Sequence, residues 1–205
     1  MLSWALTRLP SEAVLPRLRR ELDSQCRQAR SQALHTLSKI GDKSAWGWIT
    51  RDMLRDSDDE LARTAWRCAV ALVPEGEKKA LGEELAGQLG RGDRDVQLSL
   101  SRALIGLGDA VEPALDKAAE SPNPAKAAHA RATESLRLDP ELGFDAAIEE
   151  AKRTVALGAG GVWPDAAPAA EAEANRPQGA AENAEGESAE GAAAEAKRPQ
   201  EGADC

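Results

Sequence analysis

Two histidines, three cysteines, one acidic run and two sets of arginines are the residues of this chain whose types and spacing invite chemistry. His35 and His129 are the only histidines. Either could serve as a base or a metal ligand, but neither has a second ligand three or four residues along, the spacing that puts two ligands on one helix face. Both therefore read as surface or boundary histidines. Cys26, Cys68 and Cys205 form no CxxC pair, and three is an odd number, so they cannot make a complete intrachain disulfide set. Reduced thiols follow, with Cys26 and Cys68 as small core residues on apolar helical positions. Cys205 is the last residue and lacks the three residues a prenylation box needs after its cysteine.

The run Asp56-Ser57-Asp58-Asp59-Glu60 could supply paired carboxylates or calcium ligands. It lacks the glycine and the distal glutamate of a calcium loop. Ser57 to Glu60 has the spacing of a capping box, which makes the run an inter-repeat turn that starts a helix. No GxGxxG, GxxxxGK[ST] or HExxH occurs, and no nucleophile elbow is visible, although a Ser/His/Asp triad assembles in space and need not show in one chain. Arg17, Arg19, Arg20, Arg27 and Arg30 form the densest basic cluster, diluted by Glu21 and Asp23, with no aromatic interleaved. They read as a solvated helix face. Trp48, Arg51 and Arg55 fall at i, i+3 and i+7, off the apolar stripe Trp46, Ile49, Met53. An exposed Trp beside two Arg has the composition of a binding hot spot, and Lys78 and Lys79 of the following unit would extend it. The competing reading packs Trp48 against the adjacent unit.

The elements that must carry these residues repeat along the chain. Residues 29–42, ARSQALHTLSKIGD, align with residues 96–109, VQLSLSRALIGLGD, placing Ala29, Ala33, Thr36, Leu37 and Ile40 on Val96, Leu100, Ala103, Leu104 and Leu107. Leu61, Ala65, Cys68, Ala69 and Leu72 fit the same template, as do Ala128, Ala132, Ser135 and Leu136. The spacing keeps one helix face apolar. Gly41 and Gly108 are placed to end a helix in the left-handed conformation, and Asp42, Asp109 (with Glu112 in capping-box spacing) and Asp139-Pro140 to start the next. Pro122-Asn123-Pro124 is a firm break. Second helices follow, with stripes Trp46, Ile49, Met53; Leu81, Leu85, Leu89; Val111, Leu115, Ala118; and Phe144, Ile148, Val155. Two amphipathic helices per unit cannot hide their apolar faces alone, but stacked hairpins hide them against neighbours.

The pattern Ala29-Arg30, Ala33, Thr36-Leu37, Ile40-Gly41-Asp42, repeated at Val96 through Asp109, resembles the HEAT repeat in its short bacterial form. Gln97 stands where Arg is usual, the second unit has Val73-Pro74 in place of Ile-Gly-Asp, and the fourth lacks the Gly. The likeness spans residues 24–157. It implies an all-α fold: a short right-handed α-solenoid of about four helix hairpins. Residues 1–23 are expected to add an N-terminal capping helix with the stripe Val14, Leu15, Leu18, Leu22, begun at Pro16, and leave open whether that helix runs on past Asp23-Ser24. Residues 158–205 are expected to be a disordered acidic tail, since from Asp165 on they contain no Leu, Ile, Val, Phe or Trp.

Composition narrows the function. The chain has 5 Trp, 1 Phe and no Tyr, and its apolar content is mainly Ala and Leu, which favours helix over a β-sandwich or barrel. Through residue 157 there are 23 Lys and Arg against 25 Asp and Glu; from 158 on there are 3 against 10. The repeat region is nearly neutral and has no field to gather a polyanion. The N-terminus has no basic region before its apolar run, and the longest uninterrupted apolar run, Cys68 to Val73, is far short of a bilayer span, so a soluble, cytoplasmic protein is expected. HEAT-like arrays bind partners along a curved surface lined by their second helices. The resemblance thus implies a non-enzymatic protein–protein interaction module, with no cofactor and no metal, engaging a protein partner through Trp48, Arg51, Arg55, Lys78 and Lys79. Two alternatives travel with the fold. One is a nucleic-acid-binding protein of the HEAT-like DNA glycosylase type, for which Trp46, Trp48, Trp66 and Asp52 would be the residues of interest and against which the near-neutral charge speaks. The other is a bilin lyase-like protein, for which no residue here suggests a tetrapyrrole site.

Overall fold

The computed structural model describes residues 9–159, and the acidic tail expected from residue 158 lies almost wholly outside them. Every regular element among the described residues is helical. They are α1 (Ser11–Leu22), α2 (Arg27–Ile40), α3 (Arg51–Leu54), α4 (Asp59–Leu72), α5 (Lys78–Ala86), α6 (Arg94–Ile105), α7 (Glu112–Ala119), α8 (Pro124–Leu138) and α9 (Phe144–Ala159), with 3-10 turns at Lys43–Trp48, Glu75–Glu77 and Gly108–Val111.

The repeat template describes burial. Ala33, Ala65, Leu100 and Ala132 are all buried, as are Leu37, Ala69, Leu104 and Leu136 one turn later. Each fully hidden leucine contributes about 1.5–3 kcal/mol of transfer free energy. The helices that carry them pack in chain order: α2 on α4, α4 on α6, α6 on α8. Of the elements between them, α5 packs on α7. At one end α1 packs on α2 and buries Val14, Leu18 and Leu22. At the other, α9 packs on α8, where Phe144, Ala147, Ile148 and Ala151 close a separate small core with Ala128, Ala132 and Leu136.

Polar bonds between units repeat with the same period as the apolar pattern. Arg27 pairs with Asp58 at 2.6 Å, Trp46 Nε1 donates to Glu77 at 2.8 Å, Arg91 Nε donates to Asp59 at 2.9 Å, and Arg63 Nε donates to Ser99 Oγ at 3.0 Å. Each joins a residue to one about a repeat further along. Arg94 closes the series with a two-pronged bond to Asp145, at 2.6 and 2.8 Å.

Several local expectations are corrected. Pro16 lies inside α1, which begins at Ser11; it sits on the exposed side, where a missing N–H is least costly. The chain breaks between Leu22 and Arg27, where Ser24 Oγ accepts the Cys26 N–H, so α1 and α2 are separate. Asp58, not Ser57, caps α4, accepting the Leu61 N–H at 2.9 Å. Gly41 does end α2 at φ 70°, with Asp42 accepting from Ser44 N, but α6 stops at Ile105, before Gly108. Asp109 caps nothing; its carboxylate takes Arg137 at 2.9 Å. Asp139 accepts the Glu141 N–H to form a turn, and α9 starts only at Phe144. Asn123 does cap α8, with Pro124 at its first position.

The largest correction falls on the first unit. Its second helix is not continuous: a 3-10 turn ends at Trp48, Ile49 and Thr50 are extended, and Thr50 Oγ1 accepts the Met53 N–H to start the four-residue α3. Two consecutive β-branched residues, the second with a hydroxyl able to cap, favour this interruption over helix.

Candidate docking site

The interruption changes how Trp48, Arg51 and Arg55 meet. They do not lie along one helix face; they are gathered from the end of a 3-10 turn, the first residue of α3 and the residue that ends it. Trp48 is half-buried against the main core, with the Arg19 guanidinium of α1 5.9 Å from its ring centroid. That distance and orientation suit a cation–π contact. Trp48 therefore packs partly on the core, and Arg19 brings one member of the N-terminal basic cluster to it. Two others of that cluster are spent differently: Arg27 bonds Asp58, and Arg30 donates to the Ser24 carbonyl at 2.9 Å.

Arg51 and Arg55 converge on one carboxylate, that of Glu84 in α5. Arg51 Nε lies 3.5 Å from Glu84 Oε2, and Arg55 Nε donates to Oε1. The Glu84 side chain is only 11 % exposed, whereas those of Arg51 and Arg55 are 81 % and 56 % exposed. A charge so withdrawn from water needs partners, and the two guanidiniums supply them. The carboxylate in turn holds the Arg55 proton more tightly than usual, through its hydrogen bond first and its charge second. Nε is the atom of each arginine nearest to Glu84, and a guanidinium has five N–H donors, more than one carboxylate contact uses. Lys78 is drawn down onto Glu75 at 2.6 Å, while Lys79 stands exposed on α5. Of the five residues expected to form a site, Arg51 and Arg55 meet on Glu84, Trp48 lies under Arg19, Lys79 is exposed on α5, and Lys78 is engaged in its own turn. Glu84, which organises the group, carries no sequence signal beyond being one of two adjacent glutamates in a helix.

A groove of about 530 Å³ lies between α5 and α7 and the start of α8. Small residues such as Ala86, Gly87, Ala114 and Ala118 line it, and Glu83, Lys117, Glu120 and Lys126 stand around it.

One pair resembles catalytic machinery. Ser101 Oγ lies 3.0 Å from His129 Nε2, and His129 is fully buried, contrary to the expected surface or boundary position. The hydrogen bonds show what the pair does. The Gly90 N–H donates to Nδ1 at 3.0 Å, so Nδ1 is an acceptor and the ring proton sits on Nε2, directed at the Gln97 carbonyl (3.1 Å) and Ser101. A general base would present a lone pair to the serine, and its far nitrogen would donate to a carboxylate. Here both polarities are reversed. Thr133 completes the cluster, 2.8 Å from Ser101 Oγ and donating to the His129 carbonyl at 2.8 Å. Burial pushes the His129 pKa down to about 4, keeping the ring neutral. The cluster ties α6, α8 and the 88–92 turn together as a structural polar network.

The acidic run is consumed in the same structural way: Asp56 Oδ1 accepts the Asp58 N–H, Asp58 caps α4 and pairs with Arg27, and Asp59 holds Arg91. Among the described residues no group of three or more His, Cys, Asp or Glu is placed to hold a metal ion. Trp66 is fully buried with its Nε1 on the Leu54 carbonyl at 2.8 Å, so it is not available to any surface. Cys68 is buried, and desolvation raises its pKa to about 12. None of the described helices is long and apolar enough to cross a membrane. Compared with protein-family models, with curated proteins and with solved structures, the chain finds no match.

Proposed function

We propose that this chain is a non-catalytic docking module of the HEAT-repeat type, which binds a protein partner through the surface formed by the second elements of its units, with Trp48, Arg51 and Arg55 at the centre of the contact. The observation that carries the reading is the Arg51–Glu84–Arg55 arrangement. Two exposed guanidiniums are held in place by a carboxylate that is itself mostly withdrawn from water, and a half-buried tryptophan precedes the first of them by three residues. Aromatic and arginine side chains dominate the energetics of protein interfaces, and side chains ordered in advance lose less entropy on binding. The stacked helices behind them give a rigid base, the feature on which repeat proteins rely for binding. The groove between α5 and α7 continues the surface, at a volume within the usual range for sites that admit a ligand or side chains.

The test is position-specific photo-crosslinking in a lysate of the native source. Benzoylphenylalanine is placed at position 48, at position 117 in the groove, or at position 67, which is exposed on α4. The same partner should crosslink from 48 and 117 but not from 67, and R51E/R55E should abolish both crosslinks. Equal labelling from all three positions, or none from any, removes the proposal.

A further inference from the structure

The geometry points to the kind of partner that the Arg51–Glu84–Arg55 group accepts: a helical segment bearing two carboxylates one turn apart, with an apolar side chain next to them that lies on Trp48. This rests on the docking role proposed above and specifies its chemistry. Because Arg55 Nε donates to one oxygen of the Glu84 carboxylate and Arg51 Nε lies 3.5 Å from the other, the two guanidiniums are gathered at one point of the surface. Residues at i and i+4 of a helix are likewise close, roughly 5–6 Å between Cβ atoms. Each exposed guanidinium keeps N–H groups beyond its contact with Glu84, and a carboxylate is the planar acceptor that matches such a fork. Glu84 alone does not neutralise both guanidiniums, and the second acid acting on Arg55, Asp52, is exposed and acts through charge.

Net charge around the site is small. Asp23 lies 3.9 Å from Arg19, and Asp52 is exposed on α3 beside Arg51. Long-range attraction is therefore weak, and recognition rests on the matched forks and the Trp48 ring. That favours a protein segment over a nucleic acid, whose binding draws on several neutralised phosphates and weakens steeply with salt. An acidic helix needs only the two forks. Arg19, held over Trp48, walls one side of the apolar contact.

The experiment uses the full chain and two stapled helical peptides of about five turns. One carries Leu with Glu three and seven residues later; the other has Gln in place of both Glu. Binding is followed by the side-chain Nε–H signals of Arg51 and Arg55 in nitrogen-15 spectra. The Glu peptide is expected to bind about tenfold or more tighter than the Gln peptide, with salt dependence no steeper than two charges allow. The double variant R51K/R55K, which keeps both charges on Glu84 but loses the forks, should remove that preference while the thermal melt stays in place. If both peptides bind equally and W48A weakens both, the surface docks proteins but the carboxylate pairing is wrong. If neither binds while the crosslinks from position 48 persist, the partner is not an acidic helix. If an oligonucleotide displaces the Glu peptide with a steep salt slope, the forks serve phosphate and this assignment falls.

Discussion

Lowering the pH should weaken this fold through a single buried group, His129. Its partners are the Gly90 N–H, the Gln97 carbonyl, Ser101 and Thr133, with the Phe144 ring edge-on at 6.1 Å, and none of them ionises near neutrality. An imidazolium would need a proton on Nδ1, pointing at the Gly90 N–H, so charging the ring sets donor against donor as well as burying a charge. The folded pKa of about 4 lies below the ordinary 6.5. As the pH falls, the unfolded chain takes up its proton first. The contribution of neutral His129 is therefore complete above about pH 6.5 and is lost progressively down to about pH 4. With those two values the loss is about 2 kcal/mol at pH 5, about 3 kcal/mol at pH 4, and levels off slightly above that. The carboxylates held low by hydrogen bonds, Asp42, Asp58 and Asp145, lose their share only below the ordinary carboxylate range of about 4, so the interval from pH 7 to 5 isolates the histidine. Urea unfolding at several pH values, on the native chain and on His129→Gln, measures the effect. The native chain should lose about 2 kcal/mol more than the variant between pH 7 and 5. Parallel curves, or a His129 ring resonance titrating near 6.5 in the folded protein, would refute the tautomer and the burial argument together.

Gly90 has φ 84°, and a Cβ there would stand 3.0 Å from the backbone nitrogen of Lys126, an atom that cannot swing aside. Gly90→Ala should cost about 2 kcal/mol or more in denaturant unfolding and should raise the His129 pKa, because moving the Gly90 N–H removes the bond that keeps Nδ1 unprotonated; an unchanged histidine titration would contradict this. Trp66→Phe removes the only donor the structure gives the Leu54 carbonyl from that ring and leaves space in the core, so a loss of about 3 kcal/mol in calorimetry is expected, and a loss below about 1 kcal/mol would show the bond to be dispensable. Cys68, with its pKa pushed up to about 12, should resist iodoacetamide in the folded protein near pH 8 and react once urea unfolds it, as peptide mass mapping would show; modification at the rate of a free thiol would place it at the surface.

The all-α class was legible in the sequence because apolar periodicity is a local signal, repeated four times. Ala33, Leu37, Ala65, Ala69, Leu100, Leu104 and Ala132 were assigned to the core by spacing alone, and they are there. The helical class, the break at Asn123-Pro124 and the left-handed end at Gly41 follow from residues that act within a few positions of themselves. The helix ends that depend on competing hydrogen bonds were less readable. Asp109 has the spacing of a cap, yet Arg137, about a repeat away, takes its carboxylate. Pro16, Asp139 and the interrupted segment from Lys43 to Leu54 show the same limit.

The candidate site divides along the same line. Composition and spacing off the apolar stripe marked Trp48, Arg51 and Arg55 as candidates, because large amphipathic side chains near one another suit an interface wherever they fall. That Glu84 gathers the two arginines, that Arg19 covers Trp48, and that His129 is buried with its proton fixed on Nε2 by Gly90 were decided by contacts between residues about a repeat apart or further. A chain's periodicity states which side of each helix turns inward. Which charged or polar atoms then come within bonding distance depends on how neighbouring units stack, and only the folded arrangement determines that.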